Sequence, residues 1–148
     1  MYLWKKPRKV KVPGKVRPPS PYKAAMTLLD KVFSAYIRNR DNRIYLGVCP
    51  ICGRREIEVC FHFFPRKNMA LRWEPDNCVG SCSGCNYEEH MRRGVAASDG
   101  KFSQDHIRIV GAQRYSELEA LKGQPFKKSA AELVDMVAHF KALMAGGR

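Results

Sequence analysis

The apolar positions change their period along the chain. After Ser20-Pro21, the residues Leu28, Leu29, Val32, Phe33, Tyr36 and Ile37 recur at intervals that place them on one face of an α-helix. Ser20 supplies a capping hydroxyl and Pro21 suits the first helical position, so a helix is predicted over 21–41, closed by the polar group Arg38, Asn39, Arg40 and Asn42. Over 56–63 the period drops to two. Ile57, Val59 and Phe61 fall on one side of a strand, with Glu58, Cys60 and His62 on the other. Residues 94–102 read as a loop. Helical spacing returns over 104–122 and over 130–145, the second behind a capping box, Ser129-Ala130-Ala131-Glu132. No internal repeat is visible. The pattern predicts an α+β chain: a helix, a small β-hairpin module at 48–93, then two helices.

Residues 1–20 break from this pattern. They hold Lys5, Lys6, Arg8, Lys9, Lys11, Lys15 and Arg17, four prolines and no acidic residue. Proline removes backbone donors and like charges repel, so the segment is expected to be an extended basic arm ahead of a single domain at 21–148. The whole chain of 148 residues carries 27 Lys and Arg against 14 Asp and Glu, a net charge of +13. That balance favours a polyanionic partner, most simply nucleic acid, with Lys5, Lys6, Arg8 and Lys9 meeting phosphates and Tyr2 and Trp4 able to stack on bases. The competing reading of the arm is a solubilising tail. No apolar run is long enough to span a membrane, and the basic start has no apolar stretch after it, so neither membrane insertion nor secretion is expected.

The six cysteines all fall between residues 49 and 85. Four of them form Cys49-Pro50-Ile51-Cys52 and Cys82-Ser83-Gly84-Cys85, in which each pair presents two thiolates from one tight turn. Gly53 follows the first pair, where a knuckle needs a residue that tolerates positive φ. Structural Zn2+ held by Cys49, Cys52, Cys82 and Cys85 is expected ahead of disulfides, with four protein ligands and no open position. Cys60 and Cys78 are left over and read most simply as small buried residues, against ligation or redox chemistry.

Between and beyond the knuckles lie His62, Asn77 and Asn86, with His90 four residues further along a short helix opened by Cys85-Asn86. In order and spacing this resembles the HNH, or ββα-metal (His-Me finger), nuclease motif in its H-N-N form. The resemblance is closest to the phage NinG/Rap recombination nucleases. It runs through the segment from Val32 to Asp41, then Cys49-Pro50-Ile51-Cys52-Gly53, His62, Leu71-Arg72-Trp73, Asn77, and Cys82 with Cys85-Asn86. Gly111, Tyr115 and Leu118 continue it downstream.

The resemblance implies a zinc-stabilised ββα-metal core flanked by helices, acting as a metal-dependent endonuclease on branched or recombination-intermediate DNA such as a Holliday junction or D-loop. His62 takes the place of the general base and Asn77 that of the residue that ties the hairpin and orients the imidazole. Asn86 would hold a catalytic Mg2+ or Mn2+, with His90 as second ligand or as a plain helix-surface residue. Arg66, Lys67 and Arg72 lie in the loop of the motif, as phosphate contacts or as a solvated basic loop. A phage or prophage protein of this kind would work in the cytoplasm of a bacterial host, and symmetric junction cleavage would suit a homodimer. One departure stands out. Phe61 occupies the position where many HNH enzymes carry a metal ligand. It supports a second reading, a zinc-dependent DNA-binding protein of phage recombination or replication that no longer cuts.

Overall fold

The computed structural model describes residues 18–92 and 96–146. The arm positions Lys5, Lys6, Arg8 and Lys9 lie outside the described residues, as does the side chain of His90. The elements, in order, are α1 (Pro21–Ile44), β1 (Val59–His62), β2 (Cys78–Ser81), α2 (Ser83–Arg92), α3 (Ala96–Val110), α4 (Ala112–Leu121) and α5 (Ala130–Gly146), with short 3-10 turns at Met69–Leu71 and Pro75–Asn77. The fold class is α+β. No helix among the described residues is long and apolar enough to cross a membrane.

α1 begins as its sequence dictates, with Ser20 Oγ accepting the Lys23 N–H at 3.3 Å and Pro21 in the first turn. It runs three residues past the expected end at 41. Asp41 explains the extension: its carboxylate is buried and accepts the Gly80 N–H at 2.6 Å, so α1 continues until it reaches β2. The chain then turns through Leu46 and Gly47, both with positive φ. Of the predicted stripe, Leu29, Val32, Phe33 and Ile37 are buried, whereas Leu28 is 43% exposed. α5 starts at the expected capping box, where Glu132 accepts the Ser129 N–H at 2.7 Å and returns its own N–H to Ser129 Oγ at 3.2 Å.

β1 and β2 pair antiparallel, with Phe61 opposite Val79, Cys60 opposite Gly80 and His62 opposite Cys78. The alternation assigns each face to a helix layer. Cys60 and Cys78 join Leu29, Phe33 and Ile37 of α1 and Leu133, Val137 and Phe140 of α5 in the largest core cluster. Phe61 and Val79 face the opposite way, against Phe102 and Ile109 of α3. A third, smaller cluster joins Phe64, Leu71 and Leu118. A two-stranded ribbon is marginal alone, and burial on both faces is what makes this one stable.

Two expectations fail downstream. The loop expected at 94–102 is helical from Ala96 onward, because Phe102 packs its ring 5.9 Å from that of Phe61 and draws its segment onto the hairpin. The continuous helix expected over 104–122 is broken at Gly111, whose φ of 87° ends α3 and starts α4 in a new direction. α4 is fixed by Arg114, which reaches Asp76 at 2.8 Å and Glu74 at 3.0 Å.

The joint between α1 and the hairpin depends on Asp41 and Arg40. Arg40 pairs with the Asp41 carboxylate at 2.6 and 3.0 Å and donates to the carbonyls of Pro75 and Cys78 at 3.1 and 2.9 Å. Asp41→Ala removes the anionic partner of that guanidinium and the acceptor of the Gly80 N–H, and is expected to cost about 3 kcal/mol in urea unfolding, the range for one partner lost from a buried pair. Gly80→Ala is expected to cost about 1–3 kcal/mol by overpacking, because an added Cβ would lie 2.7 Å from Ile57 Cγ2.

His106 gives the fold a pH dependence. It is 1% exposed, stacks on Phe63 at 4.1 Å and bonds the Asp76 carbonyl through Nε2 at 2.7 Å. Burial outweighs that carbonyl and lowers its pKa below the ordinary 6.5. The unfolded chain therefore binds a proton that the folded chain refuses. Stability should be full above pH 6.5 and fall as the pH drops toward the folded value. Urea midpoints at pH 7.5 and 5.5 are expected to differ less in His106→Gln than in the wild type.

Candidate metal centre

The knuckle thiols come from two places brought together by the hairpin. Cys49 and Cys52 lie on the turn before β1, and Cys82 and Cys85 lie where β2 passes into α2. The first turn is shaped by its backbone: Cys49 N–H donates to the Arg55 carbonyl at 2.7 Å, Gly53 N–H returns to the Cys49 carbonyl at 2.8 Å, and Gly53 takes a φ of 64°. Arg108 of α3 holds the same turn by donating to the Pro50 carbonyl at 2.8 Å. On the other side, Glu58 accepts the Ser83 N–H at 2.8 Å, placing a carboxylate at the start of α2.

All four sulfurs lie within 4.8 Å of one another. Cys52 and Cys82 Sγ are 3.9 Å apart, matching the edge of about 3.8 Å for a tetrahedron with Zn–S bonds of about 2.3 Å. Cys85 N–H points at Cys82 Sγ at 3.4 Å, a contact suited to a thiolate. Burial alone would raise the Cys52 thiol, but the backbone N–H groups of Arg54 and Arg55 outweigh it and bring the value down to about 6. Burial pushes Cys49 and Cys85 up instead. The donor set, spacing and enclosure fit a structural zinc, and these four cysteines form a possible zinc-binding site as the sequence predicts. A cavity of about 350 Å³ opens beside Cys52 and Cys85, walled by Arg54, Arg55 and Glu88. Those two arginines were not among the residues singled out from sequence, although they directly follow Gly53.

His62 lies at the end of β1, on the α1 face of the hairpin. Its ring is half-buried, 6.3 Å from that of Phe33, and its Nε2 meets the Arg72 carbonyl at 3.1 Å. Burial first, then the nearby Arg66 charge, lowers its pKa to about 4. Asn77 is buried in the turn before β2. Its Oδ1 accepts the Phe64 N–H at 2.7 Å, and its Nδ2 donates to the carbonyls of Phe64 at 3.1 Å and Leu71 at 2.9 Å. Asn77 therefore closes the 64–71 loop, and the residue after that loop is the one whose carbonyl holds His62. Asn86 is half-buried in α2, its N–H on the Cys82 carbonyl at 3.2 Å.

Of the loop cations, Arg66 and Lys67 are exposed. Arg72 is not left for a phosphate: it forms a two-pronged pair with Asp30 at 3.0 and 2.6 Å, and Trp73 Nε1 donates to the same carboxylate at 2.9 Å. Asp30 sits on α1, too far away in sequence for the pairing to be read there. Phe61 is fully buried against Phe63 and Phe102 and offers no ligand. The structure also gathers Cys60, His62 and Cys78, with one ligand atom of each within 4.8 Å of the others.

Comparison with family models, with curated proteins and with solved structures returns no match. Function therefore rests on the chain's own residues.

The knuckle centre makes a direct prediction. Cys82→Ser should remove one equivalent of bound zinc and unfold the segment 48–92, because four-thiolate zinc contributes on the order of 10 kcal/mol, about the stability of a whole domain. Zinc analysis together with amide hydrogen exchange checks both parts.

Proposed function

We propose that this chain is a zinc-stabilised endonuclease of the ββα-metal type that cuts branched DNA. The observation that carries the reading is the Asn77 clamp: three hydrogen bonds close the loop between β1 and β2, and the carbonyl of Arg72 just beyond that loop fixes the His62 ring. With Nε2–H donating to Arg72, the lone pair lies on Nδ1, so the imidazole is set in one tautomer as a proton acceptor. The order strand, loop, strand, helix, with knuckles at the first strand's approach and at the second strand's exit, agrees with the H-N-N resemblance.

In this reading His62 Nδ1 takes a proton from water, whose oxygen attacks phosphorus while the bond to the 3′ oxygen breaks. Burial keeps His62 neutral at cellular pH. An approaching phosphate, being anionic, raises its pKa and so moves it toward the range in which a general base works well. Arg66 and Lys67 are exposed in the loop, and Arg54 and Arg55 line the cavity by the knuckles; in this reading both pairs would meet backbone phosphates. Asn86, with His90 following on α2, would hold Mg2+ or Mn2+, which supplies charge stabilisation at the departing oxygen when bound. The net charge of +13 suits a DNA partner, and a branched substrate follows from the NinG/Rap resemblance.

A second reading, a zinc-dependent DNA-binding protein without cleavage, is favoured by the buried Phe61, which removes a ligand beside the base. Labelled four-way junction and matched duplex, incubated with Mg2+, Mn2+ or EDTA, separate the two. We expect metal-dependent, junction-selective cutting that falls 10²- to 10⁴-fold, or about that, in His62→Ala with binding retained. Tight binding with no cutting under any of these ions would establish the second reading.

A further inference from the structure

Cys60 and Cys78 have no part in the knuckle centre or in the proposed cleavage, yet the hairpin delivers both to His62. Register accounts for this. Cys78 lies directly across from His62, and Cys60 lies two residues before His62 on the same strand face. Cys60 is 6% exposed and Cys78 2% exposed, and the two sulfurs and one imidazole nitrogen fall within 4.8 Å of one another.

We propose that Cys60, His62 and Cys78 form a second metal site, for a thiophilic divalent ion, Zn2+ foremost, distinct from the four-cysteine centre. Three observations carry it. The first is the donor set: two thiolates and one imidazole make a neutral complex with a dication, which removes the cost of burying charge in this core. The second is the hydrogen bond from His62 Nε2 to the Arg72 carbonyl at 3.1 Å. Metal-bound histidines characteristically donate their other ring N–H to a carbonyl or carboxylate, which orients the ring and fixes the ligating nitrogen. Here that carbonyl is itself anchored, because Asn77 holds Leu71 and Asp30 holds the Arg72 side chain. The third is spacing. A contraction of at most about 1 Å brings the three atoms to tetrahedral separations for bonds of about 2.0–2.3 Å.

Three protein ligands leave a fourth position for water or an anion. Hard ions are excluded: Mg2+ and Ca2+ require oxygen donors, so the ion proposed for DNA cleavage does not belong here. The site does not depend on the nuclease reading, and a protein that cuts no DNA would still hold this ion. If the chain does cut, the two uses of His62 compete, since one Nδ1 lone pair cannot serve both an ion and a proton.

The test is metal stoichiometry on the full chain, refolded without metal and titrated with Zn2+ and, separately, Co2+. Wild type is expected to bind two equivalents of Zn2+. Cys60→Ala and His62→Ala should each bind one, keeping the four-cysteine equivalent. In the wild type, the second Co2+ should add thiolate charge-transfer absorption, as two further Co–S bonds form beyond the first four. That measurement stands even if a variant fails to fold. A single equivalent in the wild type, or two equivalents unchanged in both variants, would overturn the proposal, as would a second Co2+ that adds no thiolate absorption.

Discussion

The buried carboxylate of Asp41 is the interaction on which the rest of the structure depends. A two-stranded ribbon of four-residue strands does not hold itself together. Asp41 accepts the Gly80 N–H from β2 and pairs with Arg40, and Arg40 in turn donates to the carbonyls at either end of the Pro75–Asn77 turn. One ion pair thus joins the longest helix to both the second strand and the turn that carries Asn77. Burying a charge is costly, and here the cost is offset by satisfying almost every polar atom around it. Gly80 belongs to the same joint, since only a residue without Cβ lets the strand approach Asp41 and Ile57 so closely.

With the hairpin welded to α1, its two faces take different roles. The Phe61 and Val79 face is apolar and seats Phe102 and Ile109 of α3 together with Tyr45 and Ile51. The Cys60, His62 and Cys78 face also packs into a helical core, but it carries all the groups of this hairpin able to accept a proton or bind a metal. Chemistry and packing therefore share one surface. Burial keeps the histidine neutral and ready to accept, and the same burial restricts what can reach it. The Arg72 carbonyl meets the ring at Nε2, and the Asn77 clamp holds the loop that presents that carbonyl.

The knuckle centre lies at the end of the hairpin away from His62 in strand register, where β1 enters and β2 leaves. It brings together the turn before β1 and the passage from β2 into α2. Glu58 at the start of α2 and Arg108 on the Pro50 carbonyl complete the connection, so the turn, the hairpin, α2 and α3 converge on four thiols. The cations beside it, Arg54 and Arg55, line an open cavity, whereas Arg72 is held by Asp30.

Local signals in the chain determined the start of α1, the capping box of α5, the alternation that puts Cys60 and His62 on one face, and the two Cys-x-x-Cys turns themselves. Each depends on residues within a few positions of one another, where backbone geometry alone sets the outcome. Tertiary structure decided the rest. α3 exists upstream of residue 104 because Phe102 finds Phe61, and α1 extends to Ile44 because Asp41 finds Gly80. Arg72 is taken by Asp30, 42 residues away, and the leftover Cys78 meets His62 only through the register of two strands. Contacts between residues far apart in sequence leave no periodic trace in it, and those contacts fix which side chains are buried, paired or left to do chemistry.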